Sequence, residues 1–332
     1  MTESSIDPDQ IRGLKAGWAL LTGRDSARDS DGESLPNMRV LVDVLGLGLE
    51  QTLTILRDRP DWETFGAWAV ETMGEPDRER IARYTAWYDG QPVPATETAR
   101  QAAVMAHARV FDDAELAAWD RDGVVVLKNA ISHDEAAAIA DYLWSLVQAD
   151  PGNPSSWYGP RSNGIMVQHF QHPAMRVPRY APRIAKGFAE LYGHADLIVS
   201  TDRLSFNPPE TQRHPFPGPH LHWDGSLASP IPFETQAILY LTDTAADQGA
   251  LQVVRGFHHR LADGWLDRLG GADPRMVDLS GEAETVPAGA GDLVIWRHEI
   301  PHGASANRSD RPRLAMYVNW YPMHRPDRRP WL

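Results

Sequence analysis

His220-Leu221-His222-Trp223-Asp224 is the stretch on which the reading of the fold depends. It follows a proline-rich approach (Pro215, Pro217, Pro219) and precedes an alternating apolar segment, which places it on a strand. Residues two apart on an extended chain face the same way, so His222 and Asp224 project together while Trp223 faces the opposite side. An imidazole and a carboxylate so related are two legs of a facial metal triad. A histidine from a distant strand completes such a triad and leaves positions open for substrates, the donor set that suits non-haem Fe(II) in oxygenases. His-x-Asp alone is common, and residues farther along decide the matter.

Gly291-Asp292-Leu293-Val294-Ile295-Trp296 reads as a tight turn feeding a buried strand, and Pro301-His302-Gly303 follows it. His302 lies 78 residues beyond Asp224, which leaves room for the intervening strands of a double-stranded β-helix. Arg313 comes 11 residues after His302, at the start of a final strand over 314–320. A planar, permanently charged guanidinium beside a metal suits a dicarboxylate, which it grips through two parallel hydrogen bonds.

His-x-Asp, a distant histidine and an arginine eleven residues on resemble the phytanoyl-CoA dioxygenase family of Fe(II)/2-oxoglutarate dioxygenases. Gln248 to His258 is similar to that family's turn-strand-turn segment ending in Gly-x-His, and Asp120 to Leu127 to its opening strand. The resemblance spans residues 112–322. It departs from the family pattern at Arg255 and Phe257, where Pro and Ser are frequent. It implies an α+β fold, a double-stranded β-helix (jelly-roll, cupin-like barrel) flanked by helices. It also implies that His222, Asp224 and His302 form the catalytic iron site and that Arg313 holds the far carboxylate of 2-oxoglutarate. Dioxygen is the second co-substrate. The implied reaction is hydroxylation of an unactivated C–H bond of a small molecule, with release of succinate and CO2. Related halogenases lack the carboxylate that Asp224 supplies, which favours hydroxylation, desaturation or ring closure. Tyr240 falls where the family can place an aromatic against the co-substrate, and core packing fits it equally well.

Each ligand has a rival. His220 shares a face with His222 but does not form His-x-Asp. His298 competes with His302 but lacks the 11-residue spacing to Arg313. His258 and His259 read as a loop end, and Pro312 separates Arg311 from the final strand. Two other classes remain beside the oxygenase: a cupin-like metal enzyme that does not use 2-oxoglutarate, and a non-catalytic binding protein.

The flanking sequence sets the setting. The chain has 332 residues, 42% apolar and 23% charged, enough to bury a large core. A net charge of −13 argues against nucleic acid or an anionic membrane as a partner. No cysteine occurs, so thiolate metal sites and disulfides are excluded, which fits a cytoplasmic location. The start lacks the basic and apolar regions of a signal peptide.

Residues 1–110 read as a helical extension preceding the dioxygenase domain at 111–332. Leu45, Leu49, Leu53 and Leu56 recur at helical spacing in a helix expected over 34–57, where Gly46 and Gly48 permit close approach. Further helices are expected over 61–70 and 76–88, with Trp62, Trp68 and Trp87 as anchors. This layer supports the barrel, covers the active site or forms a homodimer surface. Asp112 with Glu115, and Ser132 with Glu135, are capping boxes that open two helices. The polar loop 150–164, with Trp157, Tyr158 and Arg161, is expected to close over the substrate, and the insertion 260–280 is expected over the mouth.

Overall fold

The structure is a computed structural model that describes residues 6–24, 37–159 and 164–332. The start of the helix expected over 34–57, and Arg161, lie outside the described residues.

Eleven strands form three antiparallel sheets among these residues. They are β1 (Val124–Leu127), β2 (Met166–Val167), β3 (Ile198–Val199), β4 (Leu204–Asn207), β5 (Thr235–Tyr240), β6 (Leu251–Val253), β7 (Glu284–Val286), β8 (Leu293–Arg297), β9 (His302–Ala304), β10 (Arg313–Tyr317) and β11 (Trp320–Tyr321). The large sheet runs β1-β8-β5-β10-β4-β2, the small sheet β7-β6-β9, and β3 pairs with β11. An isolated bridge between His222 and His302 continues the small sheet beyond β9. The fold is α+β, and the described strands do not close into a continuous barrel. The strand expected over 314–320 ends at Tyr317, and Trp320 belongs to the two-stranded sheet.

Alternation along the strands explains how the sheets stack. In β5, Ala237 and Leu239 join one apolar cluster, whereas Ile238 and Tyr240 join another. The same split holds in β8, with Leu293 and Ile295 against Val294 and Trp296. Both faces of the large sheet are therefore covered, which is why 293–296 reads as an unbroken apolar run. One face packs on helices, through Ile139 and Leu143 of His133–Leu146 and through Ile184 and Phe188 of Pro182–Tyr192. The other face packs on the small sheet through Leu251, Val253 and Val286. Both capping boxes form: the Asp112 carboxylate accepts from the Glu115 amide at 2.8 Å, and Ser132 Oγ from the Glu135 amide at 3.2 Å.

The N-terminal helices have their own apolar cluster, which also takes in Ile198 of β3 and Tyr321 of β11. The expected long helix is two, Met38–Val44 and Leu49–Arg57. Gly46, at φ 72°, makes the turn between them, a conformation that costs other residues strain. The close approach that Gly48 permits is made by an aromatic ring: a Cβ there would lie 2.2 Å from Phe170. No helix among the described residues is long and apolar enough to cross a membrane.

Candidate metal and co-substrate site

His222, Asp224 and His302 converge although only His302 lies on a regular strand. The expected strand through 220–224 is a single bridge at His222, yet the parity holds. Trp223 turns away into the core, where its indole N–H donates to the Glu299 carbonyl at 2.9 Å. His222 Nε2 lies 3.2 Å from Asp224 Oδ1, and His302 Nε2 lies 3.3 Å from Asp224 Oδ2. Those are roughly the separations of neighbouring ligands that share one ion at about 2.1 Å. One ligand atom from each of the three falls within 4.8 Å of the others.

The surroundings hold the donors in place. Nδ1 of His222 donates to the His220 carbonyl at 2.7 Å, and Nδ1 of His302 to the Ile300 carbonyl at 3.2 Å. Each bond commits one ring nitrogen and leaves Nε2 facing inward, the usual arrangement of metal-binding histidines. Gln236 Nε2 donates to Asp224 Oδ2, and Gln236 Oε1 accepts from the Trp296 indole N–H at 3.2 Å. Burial alone would raise the Asp224 carboxyl, but hydrogen bonds to His222 and His302 override it and hold it far below the ordinary carboxylate range. Burial opposes the charged form of His222, yet the bond to Asp224 and the His220 carbonyl bring it above its ordinary value. A carboxylate kept ionised at neutral pH between two imidazoles is a donor set fit for a divalent cation.

Arg313 lines the same cavity of about 450 Å³. Only 1% of it is exposed, and its Nη2 donates to Ser205 Oγ at 3.0 Å. Nε is buried with no hydrogen-bond partner, and among the described residues no carboxylate pairs with the guanidinium. A buried cation without a counter-charge is costly, so this site fits an anionic ligand. Arg311 points outward, its side chain 74% exposed beside Asp310.

Tyr240, the loop 150–164 and the insertion 260–280 are placed differently from what the sequence led us to expect. Tyr240 does not face the cavity: its hydroxyl donates to the Val286 carbonyl at 3.1 Å and accepts from the Leu251 amide at 2.9 Å. It bridges the two sheets as core, and burial pushes its hydroxyl up to about 12. Aromatics that do line the cavity are Phe170, Trp296 and Tyr317, the last on the same face of β10 as Arg313. Parity could have found Tyr317.

The described part of the loop 150–164 is a packed element. Trp157 is 5% exposed in the core beneath the large sheet, and the Tyr158 hydroxyl donates to the Pro209 carbonyl at 3.0 Å. The insertion 260–280 packs beside Trp223 through Trp265 and Leu279 and does not line the cavity, although Arg275 donates to the Trp223 and Gly225 carbonyls at 2.8 and 2.7 Å.

The rival histidines sit elsewhere. The exposed His220 ring faces Phe216, His298 lies 3.8 Å from Glu234, and His258 bonds the Asp120 carbonyl at 3.0 Å. Three cavity residues come from the N-terminal region, Arg39, Asp43 and Leu49; only Leu49 was marked by its spacing, and as a packing residue.

Residues 119–315 match the phytanoyl-CoA dioxygenase (PhyH) family. A putative phytanoyl-CoA dioxygenase of Dictyostelium discoideum is 20% identical, the match covering 61% of this chain and 74% of that protein. The ectoine dioxygenase of Bordetella parapertussis is 24% identical, over 68% of this chain and 81% of that protein. The solved structure of SnoN, a non-heme alpha ketoglutarate dependent epimerase from nogalamycin biosynthesis, is 21% identical with a TM-score of 0.46, over 63% of this chain and 80% of that chain. The chain belongs to the phytanoyl-CoA dioxygenase family of oxygenases.

Proposed function

We propose that His222, Asp224 and His302 hold Fe(II), that Arg313 binds the far carboxylate of 2-oxoglutarate, and that the enzyme hydroxylates an unactivated C–H bond of a small molecule. The observation that carries this reading is the buried guanidinium of Arg313, without a carboxylate partner among the described residues, in one cavity with the His-Asp-His cluster. The two facing antiparallel sheets with this cluster between them support a double-stranded β-helix as the underlying architecture.

When bound, the iron with 2-oxoglutarate and dioxygen supplies the oxidising power to break such a bond, while 2-oxoglutarate leaves as succinate and CO2. The chain's own work is binding, orientation and exclusion of water. Ser205 fixes one edge of the Arg313 fork and leaves the remaining N–H groups for a carboxylate. The carbonyls of His220 and Ile300 hold the two imidazoles in the binding tautomer, and Gln236 sets the angle of Asp224. Ile238, Leu251 and Trp296 supply apolar walls that strengthen each of these charged contacts.

The test is a screen of small molecules against the iron-loaded protein for stimulated succinate release, with products examined by mass spectrometry. A product heavier than its substrate by one oxygen atom supports hydroxylation. Turnover that leaves the substrate mass unchanged, or lowers it by two hydrogens, contradicts hydroxylation and replaces it with epimerisation, or with desaturation or ring closure.

A further inference from the structure

The helix Met38–Val44 precedes the family match, yet it sends two charged side chains, Arg39 and Asp43, to the wall of the catalytic cavity. They stand one helical turn apart and are used differently. Asp43 is 3% exposed, and its carboxylate accepts from the Thr201 amide at 2.6 Å and the Tyr321 hydroxyl at 2.5 Å. Its oxygens serve the fold.

Arg39 is the opposite case. Its side chain is 37% exposed, and although the carboxylates of Asp43, Glu234 and Asp202 favour its charge, its guanidinium makes no hydrogen bond among the described residues. Its one ion pair there is loose, 3.7 Å from Nη1 to Glu234 Oε2. Glu234 is shared with His324 at 3.4 Å and His298 at 3.8 Å, so it does not close on the arginine. The guanidinium lies over the Tyr321 ring, 4.4 Å from its centroid. Stacking fixes the plane and leaves the N–H edge free, which is how arginine presents a fork to an oxyanion. Arg203, the other arginine of this part of the wall, is already bonded to Asp202 at 3.1 Å.

We propose that Arg39 binds an anionic group of the substrate, so that the substrate is a small acid, a carboxylate or a phosphate ester, with an apolar body. This rests on the oxygenase reading, in which Arg313 is taken by 2-oxoglutarate and a second cation in the cavity is left for the substrate. The apolar body lies against Leu49, Met166 and Phe170, which line the same cavity. A cavity of about 450 Å³ that also holds 2-oxoglutarate limits the enclosed part to a small molecule. The N-terminal helices thereby select the substrate, while the family portion carries the chemistry.

The test is anaerobic calorimetry on the protein loaded with Fe(II) and saturating 2-oxoglutarate, which keeps Arg313 occupied. The probes are hexanoate, pentyl phosphate and hexanamide, which share a pentyl chain and differ in head group. At least one anion should bind about tenfold or more tighter than the amide, the low end for a charge-assisted hydrogen bond. Which anion wins identifies the head group. Arg39→Gln should erase the preference and Arg39→Lys should keep part of it, with thermal midpoints reporting that both variants fold. The wild-type comparison needs no variant at all. Equal binding of amide and anions, binding of neither anion, or a preference that survives Arg39→Gln overturns the assignment. Succinate release by the wild type is measured in parallel. Release without an anion preference sinks Arg39 alone, whereas a preference without release sinks the oxygenase reading.

Discussion

The backbone amides of His222 and His302 donate to each other's carbonyls, at 2.9 and 3.0 Å. This single antiparallel bridge docks an otherwise irregular segment against β9, and it brings together two imidazoles that lie 80 residues apart in the chain, with ring centroids 4.7 Å apart. The bridge uses main-chain groups alone, so the ligand side chains can be removed without undoing it. Asp224→Ala and His302→Ala should therefore keep the thermal midpoint of the metal-free protein near that of the wild type. Iron affinity measured by anaerobic titration should fall by more than about 100-fold, since even outer partners of metal ligands are worth about 10–100-fold. Iron binding unchanged in either variant would remove that residue from the ligand set.

Gln236 acts on Asp224 without occupying its place. Gln236→Ala should weaken iron binding by about 10–100-fold while leaving the ligand set intact. Replacement by Glu should be worse than by Ala, because it brings a second carboxylate against Asp224 where an amide now donates. Equal iron affinity in wild type and Gln236→Ala would make the contact incidental.

Arg313→Ala should raise the concentration of 2-oxoglutarate needed for binding far more than that of iron. Losing one partner of a buried charged pair costs about 2–5 kcal/mol, which is roughly 30-fold to several thousand-fold in affinity. The comparison is a titration of 2-oxoglutarate into iron-loaded protein, wild type against variant. Loss of iron and 2-oxoglutarate affinity in equal measure would point to collapse of the site instead.

Asp43 gives a pH signature. Burial raises its carboxyl from 3.8 to about 6, although Arg39, the Thr201 amide and the Tyr321 hydroxyl pull the other way. Between those values the folded protein holds a proton that the unfolded chain releases. The stability Asp43 contributes is thus complete below pH 3.8 and is lost as pH rises to about 6. The full amplitude is about 3 kcal/mol. Urea unfolding of wild type and Asp43→Asn at several pH values should show the wild type losing ground to the variant across that window. Parallel curves would mean that the charge is fully compensated in the fold.

Gly48→Ala tests how the N-terminal region meets the catalytic part. Gly48 has an ordinary φ of −75°, so alanine brings no backbone strain, only a Cβ 2.2 Å from the Phe170 ring. Overpacking of this kind costs about 1–3 kcal/mol. The variant should melt earlier, and because Phe170 lines the cavity its ligand affinity should change as well. An unchanged midpoint would show that this wall is soft.

The convergence of His222, Asp224 and His302 was legible because their pattern is local. His-x-Asp needs only extended backbone to put two donors on one side, and that held even though 220–224 is not a strand. His302 and Arg313 were fixed by spacing within one resemblance. Tyr240 shows where parity stops: it gives the face of β5 but not how far along that face the cavity reaches, and two residues past Ile238 the facing surface is already the small sheet. The loop at 150–164 misled because Trp157 and Tyr158 in a polar stretch look stranded, and their partners, Trp144, Pro209 and His214, are distant in sequence or without distinctive pattern. Arg39 was invisible for a plainer reason. A charged residue in a helix is ordinarily a solvated face, and only the packing of that helix against β3 and β11 turns it inward.

One iron site built by His222, Asp224 and His302 should carry the decarboxylation of 2-oxoglutarate. The direct measurement is release of labelled CO2 from 2-oxoglutarate carrying the label at C1, by protein stripped of metal and then supplied with Fe(II), in wild type and His302→Ala. CO2 and succinate should form in equal amounts, dependent on added iron and on dioxygen, and both should be lost in His302→Ala. Release that persists without iron, or that survives in the His302→Ala protein, would contradict this expectation.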